Sequence, residues 1–222
     1  MSASRRSPAT PAPRRNSAGP GRPKDLAKRE AVLRAATTLF MEQGYAGTSM
    51  DAVAAAAGVS KLTVYSHFGD KEGLFNASVQ ATCASMVPAA LFQPDVNAPL
   101  RDQLLQIARA VHALVGSPVS QATQRMLLDP ATDDRIRQVF WQAGPQPMTA
   151  AFVAFLDGHV AAGHLLITDI ERAADLFFYM VNGEPLTRLI YGQAPAPDTH
   201  ASEAHLASAV ELFLRAYAPA ES

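Results

Sequence analysis

One cysteine, Cys83, stands in 222 residues. A single thiol cannot build a disulfide scaffold, and such sparing use suits a reducing compartment such as the cytoplasm. No stretch approaches the roughly 18 consecutive apolar residues that a membrane-crossing helix needs, so no membrane partner is expected. Only 13 glycines and 16 prolines occur, which excludes collagen-like and low-complexity classes. Charged residues are sparse at 18% while apolar residues reach 48%, so general disorder is excluded as well. Glycine-rich phosphate loops and nucleophile elbows are missing, and nothing in the chain argues for an enzyme. His159 and His164 are five residues apart and do not share a helix face. His112, His200 and His205 lie in other segments, and no cysteine or carboxylate joins them at ligand spacing. No metal and no cofactor are expected.

What is present is unevenly distributed. Residues 1–80 hold 11 basic and 6 acidic residues, against 8 and 14 in 81–222, and every lysine lies in the first part. A basic front and an acidic back point to an anionic partner for the N-terminal third. Residues 1–23 are rich in Pro, Ala, Ser and Arg and carry no acid. They cannot bury a core and are expected to form a disordered basic arm.

From Lys24 onward the apolar spacing is helical, and no alternating strand pattern appears, so the fold class is all-α. A first helix is expected over Lys24–Gln43, stopped by Gly44. A short second one covers Ser49–Ala57, with Thr48 as its N-cap. A third runs from Ser60 to His67, and a fourth from Asp70 to just before Pro88. Leu100, Leu104, Ile107, Val111 and Leu114 mark an amphipathic helix ended by Gly116. Ser117-Pro118 opens the next, closed at Asp129-Pro130. Two more are expected around Ile136–Ala143 and Met148–His159. Thr168 and Glu171 read as a capping box for a helix that Pro185 should kink or break. Leu206, Val210, Phe213 and Tyr217 define the last.

The sharpest chemistry lies in Ser49–Phe68. Two short helices meet at Ala57-Gly58-Val59, where glycine permits a left-handed turn. Val53, Val59 and Val64 are spaced to join them, and Ala54 allows close approach. Together these read as a helix-turn-helix. With Val64 and Phe68 inward, the third helix presents Ser60, Lys61, Leu62, Thr63, Tyr65, Ser66 and His67 without one acid. That surface suits phosphates and base edges. Lys71 beside free backbone N–H groups at the next helix start suits a phosphate.

The run GVSKLTVYSHFGDKEGLF, Gly58 to Phe75, with FMEQGYAGTSMDAVAAAAGVS upstream, resembles the DNA-binding signature of the TetR family of bacterial transcriptional regulators. The stretch Phe140 to Gly192 resembles the AefR-like subclass. The resemblance implies a homodimer that binds a palindromic DNA operator, usually as a repressor, and a C-terminal domain whose ligand changes DNA affinity. It places Thr48, Lys61, Thr63, Tyr65, His67 and Lys71 where members contact DNA. Leu62 departs from the small residue common at its position and suits a thymine methyl.

These readings divide the chain into an arm at 1–23, a helix-turn-helix domain at 24–69 and an effector-binding and dimerisation domain at 70–222. The aromatic and methionine content of the last suits a small apolar or aromatic effector. His112, Met126, Phe152, Phe155, His159, Phe177 and Met180 are its expected lining. The helices around Met148–Ala162 and Ala173–Tyr191 are the expected dimer interface. Two alternatives stay open: a dimeric DNA-binding protein without an effector, and a helical enzyme.

Overall fold

A computed structural model of the chain describes residues 22–193 and 199–219. The expected arm lies almost wholly outside the described residues. Those residues form ten α-helices: α1 Arg22–Gly47, α2 Met50–Ala57, α3 Lys61–Phe68, α4 Lys71–Met86, α5 Leu100–Gly116, α6 Pro118–Leu128, α7 Asp134–Ala143, α8 Pro145–Ala161, α9 Ile170–Ile190 and α10 Thr199–Tyr217. A single 3-10 turn, Ala89–Phe92, follows α4. The all-α expectation holds.

Two buried clusters organise the chain. The first gathers Val32, Ala36 and Phe40 of α1, Val53 and Ala54 of α2, and Val64 and Phe68 of α3. Leu74, Phe75 and Val79 of α4, and Ile136, Val139 and Ala143 of α7, complete it. The helix-turn-helix therefore shares its core with two helices that follow it, because three short helices leave too much apolar surface uncovered. The second cluster joins α5, α8, α9 and α10 around Phe152, Phe155, Phe177 and Phe213. The rings of Phe152 and Phe177 lie 4.7 Å apart.

Local chemistry moved several helix ends. The first helix breaks at Gly44 (φ 68°, ψ 177°) as expected, and helical geometry resumes beyond it to Gly47. Ser49, not Thr48, caps α2, accepting the N–H of Ala52 at 3.1 Å. The Thr48 hydroxyl turns inward and donates to the Gly44 carbonyl at 2.8 Å. At α9 the cap is Asp169, which accepts from Arg172 N–H at 2.9 Å. Its carboxylate is the stronger acceptor at a helix start, and the expected box at Thr168 is displaced by one residue.

Pro185 does not end α9, which continues to Ile190. A proline at 185 lacks the N–H that the Val181 carbonyl would receive in a regular helix. That carbonyl instead pairs with Nδ1 of His112 on α5 at 3.0 Å. The Met180 carbonyl pairs with Nε2 of His205 on α10 at 2.8 Å. Two neighbouring helices thus supply donors where the proline removes one.

Candidate functional site

The turn between α2 and α3 is built by Gly58, which adopts φ 65° and ψ 32°. Val59 N–H reaches the Ala54 carbonyl at 3.0 Å and Gly58 N–H the Ala55 carbonyl at 3.2 Å, closing a Schellman motif. Val53 and Val64 are fully buried where the helices cross. Ser60 caps α3 by accepting Thr63 N–H at 3.1 Å, and its hydroxyl also bonds the Thr63 hydroxyl at 2.8 Å. Ser60 is thus engaged in shaping the helix start. Asp70 caps α4, receiving Gly73 N–H at 2.7 Å. A methyl group on Gly73 would fall 2.2 Å from the Phe68 carbonyl oxygen, so only glycine lets α4 begin this close to the end of α3.

This framework turns one face of α3 outward. Lys61, Leu62, Tyr65 and Ser66 are exposed, Leu62 to 78%, while Thr63 and His67 are half-buried. Lys61 Nζ stands 2.8 Å from Asp51 Oδ1 and His67 Nε2 3.0 Å from Asp25 Oδ1. The Asp51 hydrogen bond and charge raise the lysine pKa. Both partners are exposed, so solvent competes for the pair and it is readily exchanged. Lys71 bends back onto the Ala46 carbonyl at 3.2 Å and lies 4.5 Å from the Tyr45 ring centroid. Burial lowers its pKa. Seven of the eight expected contact residues thus surround one outward face, and Thr48 sits beneath it with 2% exposure.

The second candidate site is a cavity of about 520 Å³ between the two clusters. Walls come from α1, α4, α5, α6, α7, α8 and α9, with Phe40, Phe75, Phe140 and Phe178 supplying aromatic surface. Leu128, Trp141, Tyr179 and Ile190 form its solvent side, each more than half exposed. No lysine, arginine or histidine lines it. Cys83 does, with its thiol pKa raised by burial, so it stays protonated and unreactive near neutral pH.

None of the seven residues expected in a pocket lines this cavity. Phe152, Phe155, His159 and Phe177 are fully buried and pack together in the second cluster. His112 and Met180 belong to the polar tie beneath Pro185. Met126 faces the other way on α6, where its sulfur accepts the Tyr45 N–H at 3.1 Å. Apolar periodicity identifies the buried side of each helix; which buried side borders a void depends on how the helices meet. Asn182 was missed, although a polar residue in the apolar stripe of α9 was a visible signal. Gly73 and the Arg135–Glu72 ion pair, at 2.6 Å between α7 and α4, were missed too. Nothing in local spacing announces either.

A capped helix-turn-helix whose second helix carries no acid, joined to a hollow helical bundle, defines a two-domain DNA-binding regulator. The chain belongs to the TetR family. Residues 32–78 match the model for bacterial regulatory proteins of that family, and 102–219 match the C-terminal domain of AefR-like transcriptional repressors. It is similar to the HTH-type transcriptional regulator YdeS of Bacillus subtilis, 27% identical over 71% of this chain and 78% of YdeS. Among solved structures it resembles a TetR-family regulator from Mesorhizobium loti (TM-score 0.72, 27% identity), covering 88% of this chain and 99% of that one. It also resembles the flavonoid-responsive regulator FrrA (TM-score 0.69, 32% identity), covering 87% of this chain and 98% of FrrA. Each of these relatives is named as a regulator. Among the described residues no helix is long and apolar enough to cross a membrane.

Proposed function

We propose that the chain is a cytoplasmic homodimeric repressor. It holds a palindromic operator through α3 and releases it when a small apolar or aromatic effector enters the cavity. The observation that carries this reading is mechanical. α6 lines the cavity with Thr123, Gln124 and Leu127, and on its other side Met126 holds the backbone of Tyr45 beside the Gly44 break. α4 and α7 also line the cavity, and the Arg135–Glu72 pair joins them near the start of α4. A ligand that spreads these walls acts directly on the base of the helix-turn-helix. A tenfold loss of operator affinity needs only about 1.4 kcal/mol of coupling. The AefR-like repressor match supports repression, and the flavonoid response named for FrrA supports a small aromatic effector.

A two-fold partner is needed to read a palindrome. Leu176, Tyr179 and Ile190 of α9, with Tyr191 just after it, are exposed apolar or aromatic residues, and α8 exposes the small Ala150, Ala154 and Ala161. This surface supports α8 and α9 as the dimer face. Two α3 helices about 34–36 Å apart, or somewhat more, would meet successive major grooves. The deciding experiment is operator footprinting upstream of the protein's own gene, with fluorescence anisotropy on the protected segment. Thr63→Ala should cost about 1–3 kcal/mol if the lost contact is of bidentate quality, less for a single bond, and alter base preference. Tyr65→Ala should weaken all sequences alike. A double substitution with unchanged affinity would remove α3 as the reading helix.

A further inference from the structure

One residue of the cavity wall carries a polar atom that the fold leaves without a partner. Asn182 on α9 lines the cavity and is 7% exposed, and its Oδ1 receives no hydrogen bond among the described residues. A buried carbonyl oxygen left unpaired is costly, and native structures rarely keep one without a use.

Four of the other polar side chains in the wall are already engaged. The hydroxyls of Ser78, Thr82 and Thr123 donate to carbonyls of their own helices, at 2.8, 2.9 and 2.9 Å. Gln124 donates to Ser120 Oγ at 3.1 Å. With no cationic side chain in the wall, a ligand carboxylate entering here would lose its hydration without compensation. It would also meet the half-buried Asp175, which lines the same stripe of α9 seven residues earlier. The wall therefore presents aromatic faces, one unpaired acceptor and no positive charge.

We propose that the cavity selects uncharged aromatic molecules carrying a hydrogen-bond donor, a phenolic hydroxyl above all, with the donor received by Asn182 Oδ1. This rests on the reading of the cavity as the effector site and names the chemistry that the site accepts. Phe75, Phe140 and Phe178 hold the ring system, while Asn182 discriminates the polar end. Acids of the same shape are rejected because the wall offers them no cation.

Three probes of one shape test this: 4-phenylphenol, its methyl ether and biphenyl-4-carboxylate, titrated calorimetrically into the full chain without DNA. The phenol should bind about tenfold more tightly than the ether, the ratio that one buried hydrogen bond supports, and the carboxylate more weakly than both. Asn182→Leu should bring the phenol down to the affinity of the ether while leaving the ether nearly unchanged. Because it removes an unpaired polar group, that variant should melt no lower than the parent. Equal binding of phenol and ether, tighter binding of the carboxylate, or a phenol preference that survives Asn182→Leu overturns the assignment. So does failure of all three to bind at millimolar concentration, or tighter binding of 4-phenylbenzylamine, which would give the selection to Asp175. If the phenol binds as expected but leaves operator affinity unchanged, the ligand assignment stands and the release mechanism fails.

Discussion

The two ends of the molecule place their polar chemistry on opposite sides of the fold. At α2, α3 and α4 every helix start is closed by a side chain, from Ser49, Ser60 or Asp70, and the other polar groups of α2 and α3 are mostly exposed. Between α4 and α9 the hydroxyls bend onto their own backbones, and one amide oxygen in the cavity wall is left unpaired. The first region is a rigid outer template, tight enough that one methyl group at Gly73 has no room. The second encloses a volume that its walls do not fill. A reader of DNA gains from fixed geometry, whereas a receiver of small molecules needs walls with more than one stable spacing.

That contrast is most sharply tested by two phenylalanines. Phe152 is fully buried between Phe155 and Phe177, and Phe152→Ala should cost about 3–5 kcal/mol of stability. Phe178 lines the cavity, so Phe178→Ala should shift the dose of a releasing ligand at a smaller stability cost. Chemical denaturation and operator-release curves on both variants separate the roles. Equal losses in both measurements would erase the distinction between packed core and hollow.

Gly73→Ala probes the rigid end. The added methyl must push α4 from α3, and overpacking of this kind costs about 1–3 kcal/mol. Operator affinity should fall while ligand binding to the cavity survives, as read by anisotropy and calorimetry side by side. Ser49→Ala removes a helix cap and should cost about 1 kcal/mol by urea denaturation. Thr48→Val, which keeps the branch and removes only the inward hydroxyl, should not reproduce the loss of a cap.

The smallest effect is set by pH. His159 is fully buried, its pKa is lowered by burial and by the neighbouring His164, and its Nε2 has no partner. The folded protein keeps this ring neutral, while the unfolded chain begins to take up its proton near the ordinary value of 6.5. The unfolded state then binds more protons, so stability falls as pH drops below about 6.5 and stops falling once the folded ring also titrates. His159→Phe should flatten the dependence of melting temperature on pH across that window. An unchanged slope would give the acid sensitivity to another group.

The helix-turn-helix was legible because its signals are local. Gly58, the valines around it and the acid-free face of α3 lie within twenty residues, and each carries its meaning in its own spacing. The cavity was not legible in the same way. Phe152 and Phe178 are both aromatic residues in helical stripes, and only the meeting of α8 with α9 puts one in the core and the other beside a void. The α7 residues Ile136 and Val139 joined the N-terminal cluster for the same reason: their apolar face was clear, but its partner was sixty or more residues away. Helix caps failed by one position at Thr48 and Thr168, where a neighbouring serine or aspartate competed for the same amide.

The side-chain donors offered to the α9 carbonyls ahead of Pro185 fix more than backbone geometry. His112 bonds the Val181 carbonyl through Nδ1 and His205 the Met180 carbonyl through Nε2, so each ring must carry hydrogen on the named nitrogen. Each ring is thereby held in one tautomer and one orientation. His159 is different: its Nδ1 faces Nδ1 of His164 at 3.3 Å, so only one of the two neutral rings carries hydrogen at that contact. The seam of α5, α9 and α10 is therefore stitched by two side-chain donors with fixed roles, and α9 runs unbroken past a residue that would otherwise divide it.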